Sequence, residues 1–185
     1  MAVAPGLVDI QQIPLYDTAT VAAAAATGNP VQFFVVPIGG AKQRNQTNLT
    51  QAQRLEAPRS FEVHAVRLYV QEDIGQADWF SLNQNYVLSL IVGEKEYQLG
   101  PLWYFPAGGG LWRGGVATTA AATTISGLSN GVPDPRAINL IHAQYVVRIE
   151  QGENFRVELQ GTSFTAVAAI RLVCLLDGIL TRQVQ

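Results

Sequence analysis

The sequence predicts an all-β fold: a single eight-stranded jelly roll, that is, a two-sheet antiparallel β-sandwich with an extended N-terminal arm. Three observations carry this prediction. Segments rich in β-branched and aromatic residues are separated by Gly, Pro, Asn and Asp turn signals. No segment of about 10–15 residues between them has helical periodicity, which disfavours an open βα fold. The length of 185 residues suits one domain with four strands in each of two sheets.

Residues 1–30 are predicted to form the arm, and residues 31–185 the jelly-roll domain. The arm contains three prolines, and its apolar residues lack the alternation of a core strand. Its alanine run favours a short helix over 19–26. Because so many apolar side chains are unfavourable in water, we predict that the arm orders against a neighbouring subunit more than against its own barrel. These side chains are Val3, Leu7, Val8, Ile10, Ile13 and Leu15.

The strands follow from β-branched and aromatic runs bounded by turn residues. The polar stretch 41–58 is predicted to be a functional loop or to contain a short helix over 50–55. Residues 73–83 are predicted to form a loop with one helical turn. The predicted strands are 31–36, 60–71, 86–92, 95–99 with an aromatic edge segment over 101–106, 116–125, 143–150, 154–160, 164–176 and a last short strand over 179–184.

Three turns connect neighbouring strands in this scheme. Gly93-Glu94 has glycine first, which is the type II′ hairpin pattern. Gln151-Gly152-Glu153 predicts a hairpin between the strands on either side of it. Asp177-Gly178 is a type I′ signal, so the chain is expected to reverse there before the last short strand.

The composition favours a subunit of an assembly over a free enzyme. Charged residues make up only 14% of the chain, where about 25% is usual. Only two of the 12 basic residues are lysines, and protein–protein interfaces likewise retain Arg while Lys and Glu are depleted. The alternative is a lightly charged soluble domain. No segment is rich in Lys or Arg, so neither a nucleic-acid groove nor a polybasic membrane patch is expected.

No constellation of residues indicates catalysis or a metal. Glu62 and His64 could hold one edge of a cupin-like metal site, but neither they nor His142 belong to an H-x-H pair or an acidic cluster. Cys174 lies in an apolar run and is predicted to be an inert core residue. The glycines at 108–110 are not followed by the Lys-Ser/Thr of a phosphate-binding loop. We therefore expect no catalytic residues, no metal and no cofactor.

The densest aromatic segment is predicted to contact another subunit. Trp103, Tyr104, Trp112 and Arg113 are the residue types that anchor protein interfaces, and the prolines near them favour the edge of a sheet. A sugar-stacking platform and a local core under a loop are the two alternatives. The arm residues Leu7, Ile10 and Ile13 complete the predicted interface.

Several segments resemble virion structural proteins of phages. They are GEKEYQLGPLW at 93–103, PAGGG at 106–110, LEAPRSFEV at 55–63 and LDGILTR at 176–182. The chain is similar, over about residues 55–182, to the small single-jelly-roll capsid proteins of tailless icosahedral bacteriophages, which tile a shell with β-barrels. No catalytic residue is implied, since that family has none.

The resemblance and the composition together predict a capsid protein that self-assembles into an icosahedral shell. The expected partners are copies of the same chain and other capsid proteins, with no direct contact to nucleic acid; contact with an internal viral membrane stays open. The expected location is the virion, assembled in the host cytoplasm, because the N-terminus lacks the pattern of a signal peptide. The alternative function is a lectin-like or receptor-binding β-sandwich module of a virion spike.

Overall fold

A computed structural model describes residues 8–24, 30–71, 74–105, 115–119, 122–126 and 146–183. Strands dominate this part of the chain, with one α-helix and one short 3-10 turn at Leu102–Tyr104. The elements are β1 (Val8–Gln12), β2 (Leu15–Val21), β3 (Val31–Phe33), β4 (Arg59–Val70), α1 (Gln76–Asn85), β5 (Tyr86–Val92), β6 (Lys95–Pro101), β7 (Gly115–Thr119), β8 (Ala122–Ser126), β9 (Val147–Ile149), β10 (Phe155–Gly161) and β11 (Ile170–Gln183).

The strands form two main antiparallel sheets. The five-stranded sheet has the order β1, β11, β4, β9, and β2 also pairs with β11. The four-stranded sheet has the order β3, β10, β5, β6, and among the described strands β7 pairs with β8 alone. Residues from both sheets are buried in one hydrophobic cluster, so the fold is an all-β sandwich, as predicted. Fully buried members of this cluster include Phe33, Phe61, Leu88, Phe155 and Leu172.

The strand predicted over 60–71 is confirmed as β4, and a bulge explains its mixed pattern. The register with β11 shifts between Asp177 and Gly178, where Asp177 pairs with Ala65 and Gly178 with Val63. His64 is therefore an extra residue on β4, so the core-facing residues have odd numbers before it and even numbers after it. Before the bulge Phe61 and Val63 are buried; after it, the buried residues are Val66, Leu68 and Val70.

The prediction of a turn at Asp177-Gly178 is wrong, because β11 continues through both residues to Gln183. A Cβ atom at Gly178 would lie 2.0 Å from the Glu62 carbonyl oxygen and 2.8 Å from the Phe61 ring. The glycine therefore permits close approach of the two strands at the bulge. At Asp177-Gly178 the chain therefore does not reverse, and Gly178 instead lets β11 approach β4 closely.

The N-terminal segment differs from the predicted arm. Residues 8–12 and 15–21 pair with β11, and Leu15 and Val21 are buried in the core. The predicted helix over 19–26 is wrong within the described residues, because 19–21 lie in β2 and Ala24 has a φ of 52°. Residues 8–21 are thus edge strands of the sandwich, because pairing and core burial outweigh the helix propensity of alanine. The prediction that the segment orders against a neighbour stays a prediction.

Three connections between strands can be compared with the prediction. One agrees with it and two differ. The β5–β6 hairpin is confirmed, and Gly93 has a φ of 60°. The predicted hairpin across 151–153 is wrong: β9 pairs with β4, whereas β10 pairs with β3 and β5, so this connection passes between the sheets. The single strand predicted over 116–125 contains the paired strands β7 and β8.

One further segment differs from the prediction, and another settles a choice between loop and helix that the sequence left open. The helix α1 is longer than the single turn expected, and its buried Asp78 accepts the backbone N–H groups of Val167 and Ala168 at 2.9 and 3.1 Å. These bonds hold the residues before β11 as a loop, so β11 begins at Ile170 and not at 164. The stretch 41–58 contains no helix and consists of turns and isolated bridges.

Candidate assembly edge

The strands β1 and β2 lie in line along the same side of β11. Gln12 pairs with Ile179 and Leu15 with Leu176, so the two residues between them stand opposite Gly178 and Asp177 without a change of register. Together β1 and β2 form one edge of the five-stranded sheet, from Val8 to Val21. We call the side of this edge that faces away from β11 the free edge. Its backbone groups are available to a partner strand wherever nothing covers them.

Asn48 covers the middle of the free edge. Its backbone N–H donates to the Tyr16 carbonyl at 3.2 Å, its Oδ1 accepts the Tyr16 N–H at 2.9 Å, and its Nδ2 donates to the Pro14 carbonyl at 2.8 Å. Pro14 also lies on the free edge and has no N–H, so no donor is available to a partner strand at this position. The centre of the edge therefore cannot pair with another strand.

The two flanks on either side of Asn48 differ in how much of their backbone is covered. Backbone groups alternate in direction along a strand, so Val8, Ile10, Thr18 and Thr20 face the free edge as Tyr16 does. On the β2 flank, Asp17 and Thr47 form an isolated antiparallel β-bridge, so the segment 46–48 also covers the backbone at Thr18. On the β1 flank the side chain of Ile10 is 65% exposed, and that of Val8 is also exposed. Exposed apolar side chains on an open edge are an association site unless a partner covers them.

A buried ion pair holds the β2 flank in place. Asp17 is fully buried and accepts hydrogen bonds from Lys42 Nζ at 2.7 and 2.8 Å and from the Phe34 backbone N–H at 2.5 Å. Phe34 has a φ of 67°, in the left-handed region, which ends β3 three residues earlier than the predicted strand. The carboxylate thus joins β2 to the segment after β3 and neutralises the lysine.

A groove of about 590 Å³ lies beside the β2 flank, between β2, β3 and the segment 36–46. Thr18 lines this groove, is only 4% exposed, and its Oγ1 has no hydrogen-bond partner. A buried hydroxyl without a partner is unfavourable and rare in folded proteins. Small apolar residues make up much of the lining: Ala19, Val21, Ala22, Val31, Val36 and Ala41.

The predicted interface residues fall in different places. Ile10 lies on the β1 flank, whereas Ile13 is partly buried and packs against the core. Leu7, Trp112 and Arg113 lie outside the described residues, as does the side chain of Trp103. The structure therefore brings one predicted residue, Ile10, to the free edge.

The aromatic segment after β6 is partly core. Leu102 and Phe105 are buried, and the Phe105 carbonyl accepts the backbone N–H of Leu68 at 3.1 Å. Tyr104 is 41% exposed. Pro101 ends β6, the outermost strand of the four-stranded sheet, which agrees with the predicted edge position.

Several charged side chains on the outer face of the five-stranded sheet are paired. Burial raises the pKa of Glu62, but hydrogen bonds from Arg148 at 3.2 Å and His64 at 3.1 Å outweigh it, and the pKa lies below its usual value. Arg67 and Asp177 form another pair. Within the described ranges no group of three His, Cys, Asp or Glu residues could hold a metal ion. His142 lies outside these ranges.

Glu158 is the buried carboxylate on the outer face of the four-stranded sheet. It accepts hydrogen bonds from Arg156 Nε at 2.6 Å, Gln32 Nε2 at 2.7 Å and Gln160 Nε2 at 2.9 Å. Burial raises its pKa, but these bonds and the arginine charge outweigh burial, so the pKa is lowered. Cys174 is buried in the core as predicted, and burial raises the pKa of its thiol.

Sequence reasoning missed Asp17, Lys42 and Asn48, which shape the free edge. One signal could have indicated the first: Leu15, Asp17, Ala19 and Val21 alternate with more polar residues, which is a strand pattern with a charge on its apolar side. A charge in that position requires a partner. Nothing local to Lys42 or Asn48 indicates that they contact β2.

Comparison of this chain with protein-family models, with curated proteins and with solved structures gave no match in any of the three. The described helices include none that is long and apolar enough to cross a membrane.

Proposed function

We propose that this chain is a structural subunit that functions by self-association, as a single-jelly-roll capsid protein of a virion shell. The observation that carries the proposal is the free edge of the five-stranded sheet, which leaves Ile10 and Val8 exposed on the β1 flank. The low charge content points in the same direction, since it leaves the surface poor in the residues that keep a small monomer soluble.

The strand order supports the jelly-roll part of the proposal. If β1 and β2 count as one edge strand and the β7–β8 hairpin as an insertion, the sandwich has eight strands. In chain order, strands one, eight, three and six then form one sheet, and strands two, seven, four and five form the other. This interleaved order, with the first strand beside the last, is that of two nested Greek keys in a jelly roll. Viral capsid subunits are among the proteins built on this fold.

The sharpest test replaces the exposed apolar side chain on the β1 flank. Ile10→Gln removes an apolar contact but no core packing, because Ile10 is 65% exposed. Burial of an isoleucine contributes about 1.5–3 kcal/mol, and about 1.4 kcal/mol is a tenfold change in an association constant. We expect association to weaken at least tenfold. Val167→Gln is the matched control, since Val167 is also 65% exposed but precedes β11, at the end of that strand opposite to the residues that pair with β1.

Light scattering over a range of concentrations measures the association, and electron microscopy distinguishes closed particles from open oligomers. Thermal unfolding should give the same Tm for both variants and the parent chain. A parent chain that stays monomeric up to high concentration would refute the proposal. Equal assembly by both variants would refute the role of the β1 flank. Binding to an array of glycans by a monomeric chain would favour the lectin-like alternative.

A further inference from the structure

We propose that the β1 flanks of two copies of this chain pair with each other as antiparallel strands, across a two-fold axis at Ile10. The contact joins the five-stranded sheets of the two copies into one continuous sheet. In this register Ile10 stands opposite Ile10 of the second copy, and Val8 stands opposite Gln12. The inference rests on the proposed self-association and adds to it the symmetry and the register of one contact.

The backbone of the β1 flank offers a complete set of pairing groups. Gln12, like Val8 and Ile10, is at an even position and turns its N–H and carbonyl away from β11. Within the described ranges, no hydrogen bond or bridge covers these three residues on the free edge. The five residues of β1 contain no lysine, proline or bulge, which are the usual protections of an exposed edge. The flank is therefore a template for another strand.

The length of the flank determines the register. Beyond β1 the edge is closed, because the Pro14 carbonyl accepts Asn48 Nδ2 at 2.8 Å. An axis at Ile10 pairs all three free-edge residues of both copies, with two hydrogen bonds for each opposing pair and about six in total. An axis at Gln11 instead places Val8 opposite Pro14, which Asn48 already covers.

The side chains of β1 complement those of a second copy in this register. Asp9 stands opposite Gln11 of the other copy, and within one chain Gln11 Nε2 already donates to Asp9 Oδ2 at 3.0 Å. The same donor and acceptor therefore meet across the axis, and Arg182 beside Asp9 on β11 carries the opposite charge. On the other face of the sheet, Ile10 of each copy, 65% exposed in one chain, contacts its counterpart. An axis at Asp9 would set two carboxylates opposite each other, which is unfavourable.

A disulfide can trap this contact, which is short and therefore weak. Opposing residues of a hydrogen-bonded pair have Cα atoms about 5.5 Å apart, within the range of a disulfide. The chain's one cysteine, Cys174, is buried, so the parent chain is the blank. Under a mild oxidant such as copper phenanthroline, we expect Ile10→Cys to form a disulfide-linked dimer at least about ten times faster than Val8→Cys, as followed on non-reducing gels.

Val8→Cys is the matched control because Val8 is also exposed on the β1 flank. In the proposed register, however, it lies four residues, or about 14 Å, from its own counterpart along the strand direction. That separation is too large for a disulfide. Cross-linking of Val8→Cys as fast as Ile10→Cys would overturn the inference.

A mixture of two variants tests the register without changing Ile10. Val8→Cys and Gln12→Cys should cross-link with each other and not with themselves, because Val8 stands opposite Gln12. This measurement holds even if Ile10→Cys weakens the contact. No cross-link above the parent blank in the mixture would overturn the inference.

Light scattering and electron microscopy of the parent chain test the proposed function separately. A parent chain that forms particles, while its cysteine variants lack this cross-linking pattern, counts against the β1 pairing alone. Variants that show the pattern, with a parent chain that forms nothing larger than a dimer, count against the shell alone.

Discussion

Removal of the Lys42 ammonium should destabilise the sandwich strongly, because it leaves a charge in the interior. Asp17 is fully buried, and apart from the Phe34 N–H its contacts at 2.7 and 2.8 Å are to this lysine. Loss of one partner of a buried pair costs about 3–5 kcal/mol. Lys42 is itself 16% exposed, so part of the pair is screened by water, and the lower end of that range, about 3 kcal/mol, is expected for Lys42→Met.

The reciprocal variants determine whether the buried charge is the cause. Asp17→Asn keeps an acceptor for the Phe34 N–H and leaves the partly exposed lysine to water, so we expect a smaller loss of about 1–2 kcal/mol. The double variant Asp17→Asn/Lys42→Met should be more stable than Lys42→Met alone, because no unpaired charge is left inside. Urea unfolding gives each free energy. A loss below about 0.5 kcal/mol for Lys42→Met, or a double variant no better than that single variant, would refute this account.

Two further predictions concern the bulge and the acid range. Gly178→Ala should lower stability by at least about 3 kcal/mol and the Tm by about 6–12 °C, because its Cβ meets the Glu62 carbonyl. Gly75→Ala is the control, since the nearest neighbour of its Cβ would be 3.9 Å away, and it should leave the Tm within about 2 °C. Equal melting of the two variants would contradict the close contact. The depressed pKa of Glu158 contributes stability that is present above pH 4.5 and is lost as the pH falls below it. In acid titrations followed by circular dichroism, Glu158→Gln should therefore unfold with a shallower pH dependence between about pH 5 and 3. An unchanged slope would contradict the role of this carboxylate.

The sequence predicts the parts of the fold that local chemistry determines. The β5–β6 hairpin depends on one glycine with positive φ, and β4 on a long run of β-branched and aromatic residues, so both are predictable. The partner of a strand depends on contacts far away in the chain. The turn at 151–153 has the composition of a hairpin, yet it connects strands of different sheets. Asp177-Gly178 likewise has turn chemistry that the fold uses for a bulge.

The candidate site was less predictable, for the same reason. Ile10 could be identified from its apolar side chain in a segment without a core pattern. The closed centre of the edge could not, because Asn48 is 32 residues from Tyr16, and its three hydrogen bonds follow from the path of the segment between β3 and β4. A one-dimensional pattern indicates which residues are apolar or charged, and only tertiary contacts determine which backbone groups stay free.

The closed centre of the free edge bears on how such a subunit can associate without aggregating. An unprotected strand pairs with any other strand along its whole length, which leads to open-ended growth. Here Pro14 and the segment 46–48 close the middle of the edge, and the β1 flank with its exposed apolar side chains stays open. A partner must then match a particular flank in length and chemistry. Such an edge favours contacts of defined geometry, and a closed shell requires contacts of that kind.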